Sequence, residues 1–204
     1  MSMTIRIYPD AFYVPLQLPS SLLPLDADAF FALCQTNELL RFEREANGDV
    51  LVRSLNGAET SRQNAALTAE LTAWNRKEKN GVAFGSMVGF RLTNGAVRSP
   101  GAAWIRNNAW NTLTSEQRRK FPPLCPDFVV ELMSESDVPK TMQAKMQEYL
   151  ETGCRLAWLI DPQAEQARIY RADGSVSVVH GFDATLSGED VLPGFTFALR
   201  LLRH

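Results

Sequence analysis

The sequence FVVELM at residues 128–133 predicts a buried β-strand with one carboxylate in its middle. Its residues are apolar and partly β-branched, and the run is too short for a stable helix. Because side chains alternate along a strand, Phe128, Val130 and Leu132 are expected on one face, and Val129, Glu131 and Met133 on the other. A carboxylate among apolar neighbours is costly unless a cation, a metal or hydrogen-bond donors meet it. Glu131 therefore lies either at the rim of the strand or in a catalytic cleft, beside a lysine or a metal ion.

A polar turn and an amphipathic helix follow this strand. Ser134–Asp137 predicts the turn, Asp137 is the expected helix cap, and Pro139 suits the first helical turn. The helix is expected to run to about Thr152, with Gly153 as its C-terminal stop. Its apolar stripe is predicted from residues at helical spacing, namely Val138, Met142, Met146, Tyr149 and Leu150.

Lys145 lies at the edge of that stripe, one turn before Tyr149. Two interpretations are open for its side chain. It extends from the stripe to water, as lysines on amphipathic helices commonly do, or it carries its ammonium back toward Glu131, because this helix directly follows the Glu131 strand.

The remaining pattern predicts an α/β fold with a central mixed sheet flanked by helices. A buried strand at 156–160 ends at Asp161-Pro162, and a hairpin at 168–180 turns at Asp173-Gly174. Upstream, helices are predicted at 26–37 and 58–79, and broken helix at 107–120. Strands are predicted at 49–53 and 97–106, and short paired strands at 82–92. Residues 1–24 are punctuated by prolines and are expected to form an N-terminal arm, which leaves 25–204 as one domain.

The stretch CPDFVVELMSESDVPKTMQAKMQEYLETGCRLAWLIDP, residues 125–162, resembles the signature of the Uma2 family of restriction-endonuclease-like proteins, within the PD-(D/E)XK nuclease superfamily. The resemblance continues in LCQTNELLRFEREANGDVLV (33–52), GVAFGSMVGFRLTNGAVRSPGAAWI (81–105) and LPGF (192–195). It covers most of the chain, from about residue 30 to residue 195. It implies a restriction-endonuclease-like core and a metal-dependent endodeoxyribonuclease that acts as a homodimer.

The resemblance also implies the residues of the site. Glu131 and Glu43 would bind Mg²⁺ or Mn²⁺, Lys145 would assist catalysis, and Glu43 would come from the first helical region. The family's principal aspartate falls at Gly101, and a further aspartate expected from the resemblance falls at Gly85. Since glycine offers no side-chain ligand, the expectation is an endonuclease of weakened activity. The alternative is a catalytically inactive relative that serves as a binding or assembly module.

Asp127, the two histidines and one basic run are the other candidates for metal ligands or DNA contacts. Asp127 is interpreted as a strand-entry residue rather than a metal ligand. His180 and His204 are unpaired in the sequence, which makes a histidine-based metal site an unfavoured hypothesis. The basic run 118–120 follows a helix-start signal and is interpreted as a solvated helix end in preference to a DNA contact.

The global composition predicts a soluble cytoplasmic protein. The 204 residues carry a net charge of −2, and the three cysteines show no metal-binding or disulfide spacing. No apolar run approaches the roughly 20 residues that span a membrane. DNA remains a candidate partner, because a metal-binding cleft must itself be acidic and the overall charge does not decide the question.

Overall fold

The computed structural model describes residues 25–38, 40–53 and 56–203, together with the backbone of residues 5–7. The predicted arm of residues 1–24 therefore lies outside the described residues except for that short backbone segment. The helices are α1 Ala27–Thr36, α2 Ala58–Glu78, α3 Asn107–Asn111, α4 Ser115–Arg119 and α5 Pro139–Glu151, and a 3₁₀ turn follows at Leu199–Leu202. The strands are β1 Ile5–Ile7, β2 Arg41–Arg44, β3 Val50–Arg53, β4 Gly81–Phe84, β5 Phe90–Arg91, β6 Val97–Arg98, β7 Ala102–Arg106, β8 Phe128–Leu132, β9 Leu156–Asp161, β10 Gln166–Arg171, β11 Val176–His180, β12 Thr185–Ser187 and β13 Thr196–Ala198.

In the described part of the chain these strands form a mixed α/β fold with a central sheet of order β11-β10-β9-β8-β7-β4. Strands β8 and β9 are parallel, with Glu131 opposite Leu159, and the other neighbours in this sheet are antiparallel. A second sheet has the order β1-β3-β2-β6-β5, and β12 pairs with β13. The central mixed sheet expected from the sequence is therefore confirmed, and β8 and β9 lie in its interior.

The alternation predicted for β8 is also confirmed. Phe128, Val130 and Leu132 lie in the same apolar cluster as α2, whereas Val129 belongs to the cluster that includes α5. Burial on both faces follows from the position of β8 between two neighbouring strands and two helical layers, since a strand covered on both sides is apolar on both sides. Glu131 thus projects toward the α5 side of the sheet.

The boundary between the two larger sheets differs from the sequence-based expectation. The single strand expected at 97–106 is two strands, because Pro100 cannot donate to a ladder. Strand β6 pairs with β2 in the second sheet, and β7 pairs with β8 in the central sheet. The pairing expected within 82–92 is wrong as well, since β4 pairs with β7 and β5 with β6. The chain from 99 to 101 therefore joins the two sheets.

The start of α5 differs from the prediction that Asp137 is the helix cap. Val138, not Asp137, occupies the cap position, and Val138 is 57% exposed, so it is not part of the buried stripe. Asp137 instead accepts hydrogen bonds from the backbone N–H and the hydroxyl of Ser134, at 2.9 and 2.8 Å. The turn after β8 is closed by these bonds, and α5 begins only at Pro139.

The end of α4 agrees with its sequence interpretation. Thr114 and Gln117 form the capping box of α4, and Lys120 pairs with Asp28 and Glu116 at 2.8 and 3.0 Å. The basic run at 118–120 is thus a helix end, in which Lys120 has acidic partners and Arg118 donates to the carbonyl of Trp110. In the described residues, we found no helix with the length and apolar character needed to span a bilayer.

Candidate active site

Lys145 is the centre of a buried charge cluster at the junction of the two sheets. Its ammonium lies 2.7 Å from Oε1 of Glu43 on β2 and 2.7 Å from Oε1 of Glu131 on β8. The side chains of Lys145, Glu43 and Glu131 are 6%, 3% and 8% exposed. The structure therefore brings together the three residues named from the sequence. Of the two interpretations of Lys145, extension to water is wrong, and so is the rim position for Glu131.

Glu43 lies on a strand, not in the helical region that the resemblance implied. Its Oε1 also accepts a hydrogen bond from the backbone N–H of Ser99 at 2.9 Å. Oε2 lies 3.7 Å from Nε of Arg53 and 3.6 Å from a terminal nitrogen of Arg98. Burial alone would raise the pKa of Glu43, but Lys145, Arg53 and Arg98 outweigh it and lower the pKa from 4.5 to about 2. Glu43 is therefore ionised at neutral pH.

Glu131 is fixed by a second residue of α5. The hydroxyl of Tyr149, one helical turn after Lys145, donates to Oε1 of Glu131 at 2.9 Å. Burial and the nearby carboxylates of Glu131 and Glu43 raise the pKa of Tyr149 well above its ordinary value. Tyr149 therefore remains a protonated donor. The sequence had placed it only in the apolar stripe.

Two arginines complete the network around Glu43. The guanidinium of Arg98 pairs with Glu45 at 2.8 Å and with Glu148, and its pKa is raised because these hydrogen bonds outweigh burial. Arg53 pairs with Asp137 at 3.1 Å. Arg41 also lines the cleft beside Lys145, whereas Arg44 binds the carbonyls of Leu25 and Gly95 elsewhere.

Gly101 directly precedes β7, which pairs with the Glu131 strand β8. The aspartate that the resemblance implies would project from this position. A Cβ atom there would lie 2.6 Å from Oδ1 of Asn64 on α2 and 3.1 Å from the carbonyl of Val130. The space next to Gly101 is therefore filled by the amide of Asn64, a residue that the sequence analysis missed. The only available signal was its position on a helix predicted to pack on the sheet.

Gly85 has room for a side chain, and Asp127 has a structural role. A Cβ atom at Gly85 would make ordinary contact with Thr68 at 3.5 Å, so a side chain fits there. Asp127 accepts a hydrogen bond from the backbone N–H of Arg106 at 3.0 Å and pairs with its guanidinium. Asp127 thus supports the entry into β8, as interpreted from the sequence.

The oxygen atoms of the cleft are of the kind that Mg²⁺ and Mn²⁺ prefer. Among the described residues, no group of three His, Cys, Asp or Glu side chains could hold a metal ion. However, Oε2 of Glu43 and Oδ1 of Asn64 are buried and have no hydrogen-bond donor within the described part of the chain. The oxygen atoms of these residues are therefore suitable ligands for a hard divalent cation. The site has one carboxylate fewer than the resemblance implies.

Comparison with known proteins identifies a similar fold and a matching family. The structure resembles the crystal structure of a putative nuclease belonging to DUF820 from Anabaena variabilis ATCC 29413, with a TM-score of 0.71 and 17% sequence identity. The likeness covers 88% of this chain and 97% of that chain, and at this identity it establishes the fold. No curated protein matched the sequence. The family model Uma2, described as "Putative restriction endonuclease", matches residues 27–200, and the chain therefore belongs to the Uma2 family.

Proposed function

We propose that this chain is a metal-dependent endodeoxyribonuclease of the PD-(D/E)XK type, whose activity is lowered by glycine at position 101. The observation that carries the proposal is the convergence of Glu43 and Glu131, from two different sheets, on the buried ammonium of Lys145. Two carboxylates in contact with one lysine are the kind of groups that metal-assisted phosphodiester hydrolysis uses. Membership of a family described as restriction endonucleases supports the same reaction.

Each residue has a distinct role in this proposal. Glu131 and Glu43 would hold Mg²⁺ or Mn²⁺, which when bound polarises a phosphoryl oxygen and activates water. Lys145 supplies a positive charge where negative charge develops on the phosphate. Tyr149 holds the carboxylate of Glu131 in place through its hydroxyl. Arg41, which lines the same cleft, is suited to bind a phosphate of the DNA backbone.

A second candidate function is a catalytically inactive binding or assembly module. It is favoured by Gly101 and by the pairing of each buried cation of the cluster with carboxylates of the chain itself. Three cations are already paired with five carboxylates, namely Arg53, Arg98 and Lys145 with Glu43, Glu45, Glu131, Asp137 and Glu148. Such a buried network can hold the two sheets together whether or not it does chemistry.

Plasmid nicking in Mg²⁺ or Mn²⁺ separates the two functions. Wild type is expected to nick supercoiled DNA slowly, and Glu131→Gln, which keeps the shape of the side chain, should abolish nicking. Glu116→Gln is the matched control, because Glu116 is an exposed glutamate paired with Lys120 and should cut like wild type. EDTA should stop the reaction. Retention of DNA in a gel-shift assay without any nicking would favour the binding module.

We further propose that residues 25–204 form one domain that acts as a homodimer in the cytoplasm. The family resemblance supports the dimer, and the cysteine pattern supports a reducing compartment. Light scattering tests the assembly, and cell fractionation tests the location.

A further inference from the structure

We propose that the amide oxygen of Asn64 replaces the side chain missing at position 101 and is the third oxygen ligand of the divalent-cation site, beside Glu131 and Glu43. This inference rests on the proposed metal-dependent function. It assigns a ligand role to a residue of α2 that neither the family resemblance nor the sequence pattern singled out.

The first argument is the volume that Asn64 occupies. An added Cβ at position 101 would lie 2.6 Å from Oδ1 of Asn64, closer than two such atoms approach without bonding. The amide of Asn64 and a side chain at position 101 therefore exclude one another in their present positions. Glycine at 101 and asparagine at 64 are mutually consistent, since the amide fills the space that a longer residue would take.

The second argument is the unpartnered state of the amide oxygen. Asn64 is 7% exposed, and its Nδ2 donates to the carbonyl of Thr60 at 2.9 Å, one turn back on the same helix. Its Oδ1 is buried and has no donor among the described residues. A buried carbonyl oxygen without a partner is unfavourable, and such a group in a native structure is frequently explained by an ion or a functional role.

The third argument is chemical. Asn64 lines the same cleft as Glu131 and Lys145, and side-chain amide oxygens are ordinary ligands of hard divalent cations. An amide is neutral, so the cation would have only two carboxylates, both already bonded to Lys145. The site should therefore bind Mg²⁺ or Mn²⁺ with low affinity, and a carboxylate at position 64 should raise that affinity.

Calorimetric Mn²⁺ titration of the full chain tests the ligand role. Asn64→Asp should bind Mn²⁺ about tenfold more tightly than wild type, and Asn64→Ala about tenfold less tightly. Asn75→Ala is the matched control, because Asn75 lies on the same helix but bonds Trp104 and Gly81 away from the cleft. The control should bind Mn²⁺ like wild type. Equal Mn²⁺ affinity in Asn64→Asp and wild type would overturn the inference, and circular dichroism checks that each variant is folded.

A stability cycle without metal tests the shared volume. Gly101→Ala should lower the melting temperature by several degrees in the wild-type background, because the new methyl group meets the amide of Asn64. In the Asn64→Ala background the same substitution should lower the melting temperature by clearly fewer degrees. Equal losses in both backgrounds would mean that the two side chains do not compete for one space, and the inference would fall.

The failure of this inference can be told apart from failure of the proposed function. If Glu131→Gln abolishes Mn²⁺ binding while both Asn64 variants bind like wild type, only the role of Asn64 is wrong. If Mn²⁺ binding depends on Asn64 and Glu131 but wild type leaves plasmid intact, the ligand assignment stands and the nuclease proposal fails. Absence of Mn²⁺ binding in both wild type and Asn64→Asp would overturn both.

Discussion

Replacing Glu43 with glutamine is expected to destabilise the fold by about 3 kcal/mol at pH 7. The substitution keeps the size of the side chain but leaves Lys145, Arg53 and Arg98 without a buried anion that they now share. The magnitude follows from the pKa of Glu43, which falls from 4.5 to about 2 in the folded protein, a difference worth about 3 kcal/mol. That value lies at the lower end of the range for breaking a buried ion pair, about 3–5 kcal/mol.

The same carboxylate gives the stability a defined pH dependence. Because the folded-state pKa is lower than the unfolded value, the stabilisation by Glu43 is fully present above about pH 5. It is lost as the pH falls from about 5 through about 2, and below that pH the carboxylate is mostly protonated in the folded state as well. Wild type should therefore lose about 3 kcal/mol more than Glu43→Gln over this interval, and the two proteins should converge in acid.

Urea unfolding at a series of pH values from 7 downward measures both effects. Glu116→Gln is the control, since its exposed pair with Lys120 contributes about 1 kcal/mol or less. A loss below about 1 kcal/mol for Glu43→Gln at pH 7 would refute the reasoning. So would an acid dependence of the variant that is as steep as that of wild type.

Three further predictions concern the core, the glycines and the assembly. Trp158→Ala should cost about 3–5 kcal/mol in chemical denaturation, because Trp158 is fully buried on β9 and stacks on Phe195; a loss below about 1 kcal/mol would contradict its central position. Gly101→Ala should cost about 1–3 kcal/mol, whereas Gly85→Ala should be tolerated because a Cβ fits there, and equal unfolding midpoints would contradict this difference. Light scattering at micromolar concentration should give twice the chain mass of 22.8 kDa, and a monomer mass would exclude the homodimer.

The sequence alone determined the elements in which local pattern and burial agree. The strands predicted at 128–133 and 156–160 are found at 128–132 and 156–161, and the helix between them was predicted as well. In these elements the apolar period, the prolines and the glycine agree on the type of element, although the predicted cap of the helix was wrong. The alternation along β8 also placed Glu131 on the face of Val129 and Met133, which in the structure is the face toward α5. The family resemblance named Glu131 and Lys145 together, and the short turn between their strand and helix made their contact one of two interpretations.

Only the tertiary structure decided how the two sheets meet. The break at Pro100 places β6 and β7 in different sheets, and this brings Glu43 from β2 to the same ammonium as Glu131. Neither local propensity nor spacing encodes such a contact between residues about a hundred positions apart. The pairing of Asn64 with Gly101 was invisible for the same reason, since close packing determines which side chain fills the space that a glycine leaves.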